Sequence, residues 1–288
     1  MNAATSSECP ACGTKAGAEV FTVTTIRTYR VRRCTSCRLV FSVPRPTVEE
    51  LDAFYSGSYF NRPEDAALGY EDYGGESWAA ANARRMWRAI TVWHPPLLSA
   101  NPRRLLDVGA ATGDFAAAAA DDGWEVYGVE IADYARAQGR EKGVIMTKHL
   151  HSDAGPFGLV TMWHVLEHVV DPVNCLVDAR SVATPGAYLV IELPNWHSFG
   201  RILKRDRWSQ LRPPEHINFF TRASLQRTAS RAGWRIERSA TLYPHARNRA
   251  AELWHQRRPL RATRYAAPAA VLERLGLGGY LRVVARPI

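Results

Sequence analysis

The sequence predicts an α/β fold built around a parallel β-α-β unit, with a small metal-stapled ribbon at its N-terminal end. Three stretches carry that expectation. RLLDVGAATGDFAAAAADDGWEVYGVE, Arg104 to Glu130, reads as strand, tight glycine turn, helix and second strand. FGLVTMW, Phe157 to Trp163, is an almost unbroken apolar run, as a central strand covered on both faces requires. Cys9-Pro-Ala-Cys12 and Cys34-Thr-Ser-Cys37 are two C-x-x-C knuckles with tetrahedral zinc spacing.

In the first stretch, Leu105, Leu106 and Val108 form a short apolar strand that stops at Gly109, Ala110, Ala111, Thr112 and Gly113. Phe115 and the alanine run form the helix, Asp121, Asp122 and Gly123 close it, and Trp124 to Val129 alternate into a strand ending at Glu130. Glycines at such a turn let a ligand approach the backbone, and the helix start offers N–H groups without partners. A carboxylate at the end of the second strand accepts from both hydroxyls of a ribose. A nucleoside-containing cofactor follows. The spacing Gly109-x-x-x-Gly113 after Asp107 does not supply the G-x-G-x-x-G of dinucleotide sites. An ordinary strand-to-helix turn in another α/β protein is the alternative. The pattern D-x-G-x-x-x-G resembles motif I of class I S-adenosylmethionine (SAM) methyltransferases.

A chain of 288 residues with 46% hydrophobic content can bury one full α/β core and a smaller appendage. No apolar run reaches the roughly 18 to 20 residues that span a bilayer, and MNAATSSECP lacks a basic-then-apolar leader. A soluble cytoplasmic protein is expected. The net charge of +9 permits an anionic partner such as RNA, a phosphorylated small molecule or a membrane surface.

Between the knuckles lies a stretch rich in β-formers: Val20, Phe21, Val23, Ile26, Tyr29 and Val31. Cys9, Cys12, Cys34 and Cys37 are therefore expected to hold a structural Zn2+, since four thiolates leave no open position for substrate. Disulfides, or a thioredoxin-like redox pair, are the competing readings. The fifth cysteine, Cys175, reads as a core residue.

After the ribbon, Pro46 and Thr47 start a short helix with Leu51, Phe54 and Tyr55 on one side. Residues 61–75, with Tyr70 and Tyr73, read as a loop able to fold over a site. Glu76 to Trp93 is a second helix, broken by Pro95-Pro96 and Asn101-Pro102. Beyond Glu130, Ala132 to Lys142 reads as helix and Val144 to Thr147 as strand. Arg222 to Arg231 is a helix, Trp234 to Leu242 and Leu281 to Ala285 are the sixth and seventh strands, and 244–279 is an arginine-rich helical insertion. The domain expectation is 1–43 zinc ribbon, 44–102 helical linker or lid, and 103–288 cofactor-binding domain.

FGLVTMWHVLEHVVDP, PGAYLVIELPN and RPPEHINFFTRASL are similar to SAM-dependent methyltransferases that carry an N-terminal zinc ribbon, and in the core to the ubiquinone-biosynthesis O-methyltransferases. The resemblance implies a Rossmann-like, seven-stranded core. It implies that Asp107, Gly109, Ala110 and Gly113 surround the methionine part of SAM, Glu130 holds the ribose, Asp153 meets the adenine amine, and Met162 and Trp163 line the sulfonium side. Two positions depart from the family: Ala111 replaces a commoner glycine, and Phe157-Gly158 replaces Phe-Asp.

A sulfonium methyl is already electrophilic, so catalysis needs in-line positioning and a base where the acceptor loses a proton. His164, Glu167 and His168 are the candidates, with the histidines at i, i+4 on one helical face. A structural trio, or a metal site of the H-x-x-E-H kind, is the competing reading. Trp196, Arg201, Arg205, Trp208, Arg212 and His216 interleave cations and aromatic faces where an acceptor phosphate or diphosphate, with Mg2+, would be bound; a solvated basic face is the alternative. The function expected is methylation of O or C on a small-molecule acceptor of secondary metabolism, with a prenyl diphosphate as one version and Glu167 as base. Two rivals stand beside it: an rRNA base methyltransferase, which lacks an evident aromatic RNA platform between the knuckles, and a non-catalytic SAM- or zinc-binding interaction protein.

Overall fold

The computed structural model describes residues 8–47, 49–51, 76–243 and 259–288. The expected loop at 61–75, with Tyr70 and Tyr73, and helix residues Phe54 and Tyr55 lie outside them. In chain order the strands are β1 (Ala16–Thr24), β2 (Thr28–Cys34), β3 (Val40–Val43), β4 (Arg104–Val108), β5 (Glu125–Val129), β6 (Ile145–Thr147), β7 (Phe157–Trp163), β8 (Ala183–Pro194), β9 (Asn218–Phe219), β10 (Trp234–Leu242) and β11 (Tyr280–Pro287). The helices are α1 (Glu76–Trp93), α2 (Asp114–Ala120), α3 (Asp133–Glu141), α4 (Pro172–Ser181), α5 (Phe199–Lys204), α6 (Arg222–Arg231) and α7 (Pro259–Arg274). Among the described residues no helix is long and apolar enough to cross a membrane.

Seven strands pair in the order β6-β5-β4-β7-β8-β11-β10. The first five are parallel, and β11 runs antiparallel to both β8 and β10. Successive residues of a strand face opposite sides, so a strand covered on both sides must be apolar throughout. Leu105, Leu159, Val190 and Val284 pack with Trp87, Ile90 and Phe115 of α1 and α2. Leu106, Val160, Ile191 and Val283 pack on the other side with Leu176 of α4 and Leu225 of α6. The unbroken run at 157–163 is the central strand the sequence required.

A second, antiparallel sheet has the order β1-β2-β3-β9. Its fourth strand comes from the C-terminal half of the chain: Val40 pairs with Phe219 and Phe41 with Asn218. Cys9, Cys34, Cys37, Leu39 and Phe41 lie in the same buried cluster as Leu166, Phe220 and Leu225. The ribbon is thus packed into the main core as well as paired with it.

Gly158, at the position where the resemblance leads one to expect Asp, has a local reason. A Cβ there would fall 2.1 Å from the carbonyl oxygen of Pro102. The chain entering β4 crosses too close for any side chain at that position.

Candidate active site

The turn after β4 is built by backbone geometry. Gly109 has φ of +71°, and a Cβ on it would lie 2.7 Å from Cγ2 of Val165. It therefore lets the segment after β7 sit directly against the turn. The N–H groups of Gly109 and Ala110 donate to the Val129 carbonyl at 2.8 and 3.0 Å, which fixes the turn beside the end of β5. Ala111, the departure from glycine, adopts φ of +45°, a conformation that costs an alanine about 1–2 kcal/mol. Its N–H donates to Oε2 of Glu130 at 3.0 Å, while Oε1 accepts from Ala132 N at 3.0 Å. Those bonds hold the Glu130 carboxylate at the strand end, and each oxygen keeps a second lone-pair direction for a ribose hydroxyl.

Asp107 is 2% exposed and accepts from the Thr161 hydroxyl at 2.6 Å. Burial, reinforced by the charge of Glu130 and opposed by the Thr161 bond, pushes its carboxyl up to about 7. Trp163 stacks against Phe115, the second residue of α2, with centroids 4.7 Å apart. Met162 is fully buried on the opposite face of β7. Gly113 is the left-handed residue before α2. Asp107, Gly109, Ala110, Gly113, Glu130 and Trp163 thus lie at or beside the C-terminal ends of β4, β5 and β7, the edge at which ligands bind in open α/β sheets. Asp153 is a correction. It is exposed, and the neighbouring Ala154 carbonyl accepts from Arg104 at the start of β4. That is the end of the strand away from the glycine turn.

The segment after β7 corrects a second expectation. His164 to His168 form a bend and turn with no helix, opened by His164 at φ of +54°. Proximity survives nonetheless: His164 Nδ1 is 3.0 Å from Oε1 of Glu167, and His168 Nε2 is 3.9 Å from the same oxygen. Glu167 is 1% exposed, and its Oε2 has no hydrogen-bond partner. Strain at a non-glycine residue beside a buried carboxylate is characteristic of functional sites.

Around this trio the structure assembles two expected acceptor residues, Arg212 and His216, and a pair that motif reading passed over, Glu192 and Arg282. His168 Nδ1 donates to the Glu215 carbonyl at 2.9 Å, and His216 Nδ1 to the Gln210 carbonyl at 2.9 Å. Those bonds fix both rings, whose centroids lie 4.7 Å apart. Arg212 reaches Glu215 at 3.1 Å and His216 Nε2 at 3.4 Å. Glu192 of β8 and Arg282 of β11, directly opposite each other in the sheet, form a buried pair at 2.6 Å, with Glu192 Oε1 4.0 Å from His164 Nε2. Burial pulls the His164 imidazole down, but its bond to Glu167 and the charges of Glu167 and Glu192 outweigh that and raise it. Burial, with His168 and Arg212 nearby, holds His216 well below the usual histidine range. Glu192 and Arg282 lack any local motif; their signal is a charged pair in otherwise apolar strands.

Ligand atoms of Glu167, His168 and His216 lie within 4.8 Å of one another. Two imidazoles fixed through Nδ1 and one buried carboxylate are a donor set for a divalent cation. The four cysteine sulfurs also lie within 4.8 Å of one another and none is in a disulfide. Cys9–Cys37 and Cys12–Cys34 approach to 3.4 Å, near the roughly 3.8 Å between sulfurs of a tetrahedron with metal–sulfur bonds of about 2.3 Å. The residues fit zinc in a closed, structural site.

The expected acceptor residues separate into two groups. Arg212 and His216 join the His164–Glu167 cluster. Trp196 and Trp208 do not: they pack with Val31, Val40, Leu211 and Phe219 on one face of the small antiparallel sheet. Arg201 lies over the Trp196 ring at 4.7 Å and donates to its carbonyl, and Arg205 is exposed beyond α5. Aromatic and cationic residues alternate there because large rings fill a core against the small sheet, with arginine stems covering its edge.

Residues 80–239, more than half of the chain, match the family described as a methyltransferase domain. The chain is 32% identical over 104 residues to the ubiquinone biosynthesis O-methyltransferase of Bordetella avium, covering 32% of this chain and 43% of that protein. It is 32% identical over 104 residues to the Hahella chejuensis protein of the same name, covering 32% and 44%. The match thus spans under half the length of these curated relatives. Among solved structures, magnesium protoporphyrin IX methyltransferase from Synechocystis PCC 6803, with bound SAH, shares the fold at a TM-score of 0.52 and 14% identity, covering 83% of this chain and 98% of that one. The chain belongs to the class I SAM-dependent methyltransferase family. SAM is the methyl donor that family uses, and the turn after β4 carries the glycines and the facing acid of Glu130.

Proposed function

We propose that the protein transfers a methyl group from SAM to an oxygen of a small-molecule acceptor seated over His164, Glu167, His168 and His216. One observation carries this reading: a buried carboxylate with one unpartnered oxygen, Glu167 Oε2, stands on the segment that packs against the glycine turn. A group so placed can take the proton from an acceptor hydroxyl as the methyl is transferred. SAM supplies the electrophilic methyl; Asp107 and Glu130 hold its amine and ribose, and Trp163 with Phe115 walls the reacting side. The printed names of the curated relatives, O-methyltransferases, point the same way.

Glu167, His168 and His216 would also hold a divalent cation on which acceptor oxygens are oriented. Two imidazoles favour zinc over magnesium, and Mn2+ serves as the spectroscopically visible probe of the site. A prenyl diphosphate loses its support, because Trp196 and Trp208 are core residues. Binding of RNA through the net positive charge is not favoured either. Arg45, Arg104, Arg201 and Arg227 all donate to carbonyls within the chain.

The test incubates the protein with labelled SAM and a panel of catechols, phenols and hydroxy acids, with and without Mn2+. Glu167→Gln should lower turnover by roughly 10²–10⁴ while leaving affinity for S-adenosylhomocysteine unchanged. Full activity in Glu167→Gln would overturn the reading.

A further inference from the structure

The turn that carries Glu167 and His168 has few hydrogen bonds of its own, so its backbone carbonyls take donors from elsewhere. Those donors come from one place. Asn218 Nδ2 donates to the carbonyls of Leu166 at 2.9 Å and Val169 at 2.7 Å. Ile217 N and Asn218 N donate to the Glu167 carbonyl at 2.8 and 3.1 Å. Arg45, only 4% exposed, donates to Val169 at 3.2 Å and Val170 at 2.7 Å. Four of the five carbonyls from Leu166 to Val170 are held in this way.

Both clamps belong to the cysteine-stapled sheet. Asn218 is in β9, the edge strand completing that sheet, and Ser42 N donates to the Ile217 carbonyl at 3.0 Å. Arg45 follows β3 by two residues. Arg227 of α6 closes the circuit by donating to the Cys37 carbonyl at 3.1 Å. Among the described residues no comparable hydrogen bond joins the small sheet to Asp107 and Glu130, whose side chains bond to Thr161 of β7 and to the backbone of Ala111 and Ala132.

We propose that Asn218 and Arg45 are positioning residues for Glu167 and His168, and that the metal-stapled sheet works through them to hold the acceptor side of the site and not the cofactor side. This rests on the reading that Glu167 and His168 face the acceptor. Asn218→Asp keeps the side-chain volume and removes the Nδ2 donor; Arg45→Met removes the guanidinium, and Arg45→Lys restores one donor. Hydrogen exchange of the full chain should show the 164–170 segment opening about tenfold faster in Asn218→Asp and Arg45→Met, with Arg45→Lys closer to wild type. Exchange at 105–113 and affinity for S-adenosylhomocysteine should stay constant. Chelation of the cysteine-bound metal should reproduce that segment-specific opening. Mn2+ affinity, read by electron paramagnetic resonance, should fall about tenfold in both donor-deleting variants. Unchanged protection at 164–170, or equal loss at both segments, overturns the proposal. Wild-type protein that takes up no Mn2+ would count only against the cation at Glu167, since the exchange result stands without it.

Discussion

Asp107 makes cofactor affinity depend on pH in a calculable way. Its folded carboxyl titrates near 7 against an ordinary value of 3.8, because it is buried at the foot of the crevice with Glu130 nearby. On the proposed assignment, the ammonium group of the cofactor's methionine part binds the ionised form. About one-tenth of the sites are ionised at pH 6.0 and about three-quarters at pH 7.5, so affinity for S-adenosylhomocysteine should rise roughly eightfold between them. Isothermal titration in buffers of different ionisation enthalpy should show proton release on binding near pH 6.5. The sign for the ligand-free protein is opposite. A folded pKa raised above the unfolded one contributes stability below about 4 that is lost as pH rises through about 7, by at most about 4 kcal/mol for 3.2 pH units. Chemical denaturation across that window should show the decline without ligand and its suppression with ligand. Asp107→Asn should bind weakly at every pH and lose the slope. A flat affinity profile in the wild type, or the same slope in Asp107→Asn, would refute the assignment of Asp107 to the cofactor's amine.

Three other outcomes follow from the packing. Gly109→Ala combines a left-handed backbone with a Cβ 2.7 Å from Val165 and should cost about 1–3 kcal/mol in urea melts, with weaker S-adenosylhomocysteine binding. Glu130→Ala removes the acceptor of Ala111 N and Ala132 N; calorimetry should show cofactor affinity lower by about 1–3 kcal/mol. Trp196→Ala should destabilise the protein by about 3–5 kcal/mol, yet the KM for an acceptor, measured well below the melting temperature, should stay unchanged.

The parallel sheet and glycine turn were legible because they follow from one-dimensional patterns. Paired apolar runs announce strands covered on two faces, and Gly109 to Gly113 followed by Glu130 announces a turn facing a strand end. What failed shares one physical cause. The i, i+4 spacing of His164 and His168 suits a helix, but their segment is pinned by donors about 50 and more than 120 residues away, at Asn218 and Arg45, which no local pattern records. Trp196 and Trp208 look the same in sequence whether they line a pocket or fill a core against the small sheet. Asp153 follows β6 closely, but chain distance does not tell which end of the sheet a turn visits. Asn218 and His216 lie inside the quoted RPPEHINFF motif, so the location was visible while the clamping role was not.

The pairing of Asn218 and Phe219 with β3 bears on how such proteins can be recombined. A chimera that transplanted residues 8–47 onto a foreign methyltransferase would arrive with the backbone groups of β3 unsatisfied along one border, and the recipient would supply no amide to meet them. A workable exchange would move residues 212–220 together with the cysteines, so the inheritable module is two distant pieces of chain, not one.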